Sequence, residues 1–263
     1  MYNNLIETYE RLIKDANPRE LDNTAIFKPS FYQGIIDPKS KLEVDMLYQN
    51  YFSIDKEAMT EVLGSLEKEL ESGNKLNINV IIERVYYCVN KYLGDFKDKE
   101  DERDKMYEDK RIVMASELKE KNIAMCVEYS ALVHNCLVVV KEATNNENIM
   151  PNLVFTMMTK DTGKREGHVC EILIGKNGKG ILFDAINPIV LKEVKNPDKK
   201  HVELGIYLLA KDELDSFISG NKIIPKSPFE DNNEYYLCYP KSEYGYKTKQ
   251  KLVTDGGNGP EER

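Results

Sequence analysis

Apolar positions along the first half of the chain recur every three or four residues, which is the period of a helix with one buried face. In "NNLIETYERLIKDA" the stripe is Leu5, Ile6, Tyr9, Leu12 and Ile13. "DKEAMTEVLGSLEKELESGN" predicts a helix from near Asp55 to near Gly73, and "NINVIIERVYYCVNKYLGD" a second with Val80, Ile81, Val85, Cys88, Val89 and Leu93 on one stripe. Cys88 sits inside that stripe and is expected in the core. "IVMASELKEKN" is a short helix leading to Cys126. From Val127 to about Ala143 the chain is apolar on most sides, the pattern of a buried central helix. Residues 17–53, with Pro18, Pro29 and Pro38, predict loop and short turns, and "FKDKEDERDKMYEDKR" a solvated helix or loop.

After "TNNENI" the period changes. "NLVFTMMT" predicts a strand, and "GHVCEILIGKNGKGILFDAI" a β-hairpin around Asn177-Gly178. "VELGIYLLA" predicts one further strand, "KDELDSFISGN" a helix with Asp212 near its start and Gly220 at its end, and "NEYYLCYP" a last strand with Cys238 packing. Helices followed by consecutive strands give an α+β class, with an antiparallel sheet packed on the buried helix. The expected organisation is a helical N-terminal extension over residues 1–111, a core over 112–245, and a polar tail over 246–263.

Composition narrows the function. The 263 residues carry a net charge of −8 and are 41% hydrophobic, without the basic footprint of a nucleic-acid binder. No apolar run approaches the ~20 residues that span a bilayer. The N-terminus has acidic residues and no apolar run of the kind a Sec signal needs, so the expected location is cytoplasmic, or export by another route. The five cysteines are an odd number without close pairing, which fits a reducing compartment better than a disulfide framework. There is no CxxC and no HExxH, and the sequence implies neither metal nor cofactor.

Cys126 stands where a polar stretch gives way to the apolar helix, where peptide dipoles favour thiolate. Packing is the competing explanation, because free Cys is among the most buried residue types. A thiol nucleophile needs a base, and the base an orienting group. Of three histidines, His134 lies eight residues along the same helix, roughly 12 Å away, and cannot serve. His201 follows a cationic loop with no partner in view. His168 heads an apolar strand. Asp184 follows Ile181-Leu182-Phe183, where an unpaired carboxylate would be costly, and His168 is its natural partner.

The stretches "MCVEYSALV", "GHVCEILI" and "LFDAINP" resemble the transglutaminase-like branch of the papain-like cysteine enzymes. The resemblance covers roughly residues 112–188. In that family a Cys starts a central helix, a His heads the next strand and an Asp sits on the strand after it. Carried over, it implies a Cys126-His168-Asp184 triad acting on peptide or glutamine-type amide bonds of a protein or peptide substrate. A protease or deamidase is favoured, since the extra β-domains of animal transglutaminases are missing. Met125 stands where the family usually has Gly, Cys170 where it has an aromatic, and the Asp-Pro pair is spread over Asp184 to Pro188. The second Cys126 oxyanion donor is open, with Asn122 one candidate. The alternatives are a catalytically inactive binding module on the same fold, and an unrelated α+β protein in which the three residues never meet. Oligomeric state is left open.

Strand register makes the triad testable. A plain two-residue turn at Asn177-Gly178 would set Asp184 opposite Glu171 and turn His168 and Asp184 to opposite faces. One more loop residue sets Asp184 opposite Cys170, on the face of His168. The triad therefore requires a bulge or odd-length loop between Gly175 and Ile181, with Gly178 or Gly180 supplying positive φ.

Overall fold

A computed structural model describes residues 4–15, 24–25, 54–71, 77–94, 114–146, 150–159, 162–187, 189–196, 199–205, 207–224 and 234–237, with single positions 102 and 105. The expected loop over 17–53, the charged run, Cys238 and the tail fall almost wholly outside them. The described elements are α+β, in two contact units.

Among its described residues the first unit holds five helices. They are α1 (Leu5–Asp15), α2 (Lys56–Glu71), α3 (Ile78–Leu93), α4 (Ala115–Lys121) and α5 (Cys126–Thr144), with a short pair of strands, β1 (Thr24–Ala25) and β2 (Ile54–Asp55). Most of the periodic stripes become core, while Ile6, Leu12, Ile13 and Val80 stay half-buried. Ala58, Met59, Val62, Leu63, Leu66 and Leu70 of α2 are buried, as are Ile81, Val85, Cys88 and Val89 of α3. Helix ends find partners over different distances. The Leu5 N–H donates to Glu67 Oε1 of α2 at 2.7 Å, so a remote carboxylate caps α1 and complements its dipole. Asn77 caps α3 locally, its Oδ1 accepting from the Val80 N–H at 3.0 Å.

Helix α5 packs against α1, α2 and α3. Every residue from Glu128 to Leu137 is buried, as the all-round apolar pattern requires. The expected boundary at 111/112 falls inside this unit. The longest apolar helix is α5, and no described helix is long and apolar enough to cross a membrane.

The second unit is built on a five-stranded sheet of order β8-β5-β4-β3-β9, made from β3 (Pro151–Thr159), β4 (Arg165–Ile174), β5 (Gly180–Phe183), β8 (Tyr207–Leu209) and β9 (Glu234–Leu237). Its registered pairs, β3 with β9, β4 with β5 and β5 with β8, are antiparallel. The unit also holds α6 (Lys211–Ile218), which packs on β8 and β9, and a separate two-stranded ribbon, β6 (Ile189–Asn196) with β7 (Lys199–Gly205).

One local expectation is corrected. "VELGIYLLA" is not one strand: β7 ends at Gly205 and pairs with β6, while β8 begins at Tyr207 and pairs with β5. Glycine weakens a strand interior, and here the chain changes sheets at it. Asp212 lies in the first turn of α6, near its start as expected. The cap is Ala210, whose N–H is held by Glu213 Oε2 at 2.8 Å.

Candidate functional site

The β4–β5 hairpin sets the geometry. Glu171 pairs with Phe183, Ile172 with Leu182, Leu173 with Ile181 and Ile174 with Gly180. This is the register that carries Asp184 to the level of Cys170 and the face of His168, not that of a plain two-residue turn. The loop is Lys176–Gly178, closed by Gly175 N–H to Lys179 O at 2.9 Å and Gly178 N–H to Gly175 O at 3.0 Å. Gly178 sits at φ +74°, the left-handed residue such a three-residue loop needs. Asn177 Oδ1 accepts the Lys179 N–H at 3.1 Å and stiffens the turn.

Register then becomes chemistry. His168 Nε2 lies 2.7 Å from Asp184 Oδ2, and both residues are buried, at 4% and 6% exposure. Asp184 follows the last residue of β5 and opens a local turn. Its Oδ1 accepts the backbone N–H groups of Ile186 and Asn187, each at 3.0 Å. Its Oδ2 also accepts from Asn187 Nδ2 at 3.1 Å and from the Tyr235 hydroxyl at 2.8 Å. Burial by itself would raise the carboxyl pKa. The charge of His168 and the bonds from His168, Tyr235 and Asn187 outweigh it and bring Asp184 down to about 2.

Below His168, the Thr156 hydroxyl of β3 donates to its carbonyl oxygen at 3.3 Å and lies 3.9 Å from Cys170 Sγ. Cys170 is fully buried. Among the described residues no group of three His, Cys, Asp or Glu is arranged to hold a metal ion.

Cys126 belongs to the first unit, His168 and Asp184 to the second. Cys126 is the first residue of α5, a free thiol and half-buried, whereas Cys88, Cys136 and Cys170 are buried. Burial pushes the Cys88 thiol up to about 12, and burial with the neighbouring Cys88 raises Cys136 further. Met125 caps the helix, its N–H donating to Glu128 Oε2 at 2.8 Å. Asn122 is the left-handed C-cap of α4 at φ 55°, with its side chain packed toward Gly94. His134 is buried within α5, and His201 lies on the β6–β7 ribbon opposite Val194.

Two members of the site were not anticipated. Asn187 had a local signal, because a carboxylate two and three residues before backbone N–H groups is a recurrent turn. Tyr235 had none: it lies 51 residues from Asp184 and arrives on the edge strand β9. In comparison with family models, curated proteins and solved structures, the chain matches none.

Proposed function

We propose that this protein is a thiol-dependent hydrolase or acyl transferase of transglutaminase-like type, acting on peptide or glutamine-type amide bonds, with Cys126 as nucleophile, His168 as base and acid, and Asp184 as orienting carboxylate. The observation that carries the proposal is the buried His168–Asp184 hydrogen bond, formed through the hairpin register that a triad requires. The half-buried thiol of Cys126 at the start of a 19-residue helix supports it from the other side.

The residues assign the steps. With Nε2 held by Asp184, Nδ1 is the ring nitrogen that exchanges a proton with the thiol. The Cys126 thiolate attacks the carbonyl carbon, and the oxyanion is met by N–H groups at the start of α5. His168, as imidazolium, delivers its proton to the leaving amine as the C–N bond breaks, leaving a thioester on Cys126. Water then gives its proton to His168 and its hydroxyl to the acyl carbon, releasing carboxylic acid and restoring the thiol. An amine in place of water would give a new amide. Hydrolysis is the reading adopted.

The test is covalent trapping. The purified chain is incubated with a mixture of peptides ending in an electrophilic aldehyde or vinyl sulfone, including glutamine-like side chains, and intact mass is measured. The expected result is one adduct, mapped to Cys126, absent in Cys126→Ser and slowed at least tenfold in His168→Ala. Labelling of several cysteines, indifferent to His168→Ala, would contradict it.

A second reading, an inactive binding module of the same fold, has one observation in its favour. Met125 caps α5 at the position where the resembled family usually has Gly, and its N–H is already taken by Glu128 Oε2 at 2.8 Å. The same experiment separates the two.

A further inference from the structure

We infer that Tyr235 is a positioning residue of this site: its hydroxyl fixes the charge and direction of the Asp184 carboxylate and thereby sets the protonation balance of His168. The inference rests on the thiol-hydrolase reading for its purpose, but its physical content lies wholly within the second unit.

Tyr235 is held where it acts. It is 3% exposed, and its backbone is fixed on both sides. On one side it pairs with Met158 of β3. On the other it exchanges two hydrogen bonds with Ile223, from Tyr235 N–H to Ile223 O at 2.9 Å and from Ile223 N–H to Tyr235 O at 3.0 Å. A tyrosine so fixed loses little freedom in making its side-chain bond. The bond goes to Oδ2, the oxygen that also faces His168, at 2.8 Å against 2.7 Å for the imidazole. The two rings lie 6.2 Å apart at 50°. The phenol therefore touches the imidazole's partner and packs near the imidazole itself.

This placement has a chemical consequence. Oδ2 serves three donors, His168, Tyr235 and Asn187, while Oδ1 serves two backbone N–H groups. Four donors besides His168 keep the carboxylate anionic whether or not the imidazole is charged. An anion there selects the neutral tautomer with hydrogen on Nε2, leaving Nδ1 as the basic nitrogen. The phenol donor also withdraws charge from Oδ2. That weakens its pull on the imidazolium and keeps His168 able to release a proton. Among the described residues, titratable groups near His168 include Asp184 beyond β5, Tyr235 on β9 and Cys170 two residues along its own strand, while β3 carries no titratable side chain.

The experiment is a pH titration of the three histidines by long-range proton–nitrogen NMR on the nitrogen-labelled full chain, with the His168 signals assigned by His168→Ala. Tyr235→Phe keeps the ring and removes the donor. The expected result is a rise of about half a unit to one unit in the His168 midpoint, since a bond to a charged acceptor is one of the stronger ones. Site-specific 3-fluorotyrosine at 235, a stronger donor of nearly the same size, is expected to move the midpoint the other way. A midpoint unchanged in both variants would overturn the inference and show Tyr235 to be packing alone. The readout is His168 itself. An inert Cys126 would overturn the thiol-hydrolase reading, whereas an unmoved His168 beside a reactive Cys126 would overturn only the role of Tyr235.

Discussion

Asp184 accepts five hydrogen bonds, and that number decides how it behaves. A folded-state pKa of about 2 lies below the ~3.9 of an unperturbed Asp. The folded state is thus favoured by this group at every pH above about 4, and the contribution is lost as pH falls through about 2. Carbon-detected NMR of the Asp184 carboxyl should show it ionised at pH 3, where exposed aspartates are mostly protonated. Asp184→Asn replaces one acceptor oxygen with an NH2 group and removes the charge facing His168. It should cost about 3 kcal/mol in urea unfolding, the scale for breaking a buried, hydrogen-bonded pair, and that cost should shrink toward pH 2. At this scale the sequence was partly legible. A carboxylate after three apolar strand residues announced a partner, and a chain with three histidines left few to choose from. Tyr235 could not be read, because only the folding of β9 beside β3 brings it near.

Among the elements, the β4–β5 hairpin carries the most consequence, since register turns every side chain by a whole face. Gly178→Ala places a Cβ on a residue at φ +74° and should cost about 1–2 kcal/mol in denaturant unfolding. Deleting Lys176 is the sharper change. It leaves Asn177-Gly178 as a two-residue turn between Gly175 and Lys179 and keeps Asp184 opposite Cys170, so the distinctive His168 titration should persist by NMR. Loss of that titration would show that the three-residue loop itself, and not the strand register, holds the site. The odd-length loop was derivable from the pairing arithmetic because both strand faces were constrained. The β6–β7 ribbon was not derivable. Its strands lack clean alternation, and "VELGIYLLA" looks continuous until Gly205 is seen to divide it. The helices were legible to within a residue or two, because an apolar stripe at helical spacing is a local signal. The N-terminal cap of α1 by Glu67 was not, because its donor and acceptor are 62 residues apart.

At the scale of the whole molecule, the described helices α1 to α5 lie in one contact unit and the main sheet with α6 in another, with Cys126 in the first and the His168–Asp184 pair in the second. The α+β class was readable from element order. The family resemblance rests on three short stretches. Core packing of the helical unit should be sensitive: Leu132→Ala on α5, fully buried, should cost about 2–5 kcal/mol in unfolding free energy. The central claim, that Cys126 is a thiolate activated by His168, is tested most directly by alkylating the native chain with iodoacetamide from pH 5 to 9 and mapping the sites by mass spectrometry. The account predicts fast, selective reaction at Cys126 ahead of the buried Cys88, Cys136 and Cys170, with the advantage lost in His168→Ala. A Cys126 that reacts no faster than the other cysteines, or at a rate unchanged by His168→Ala, would contradict it.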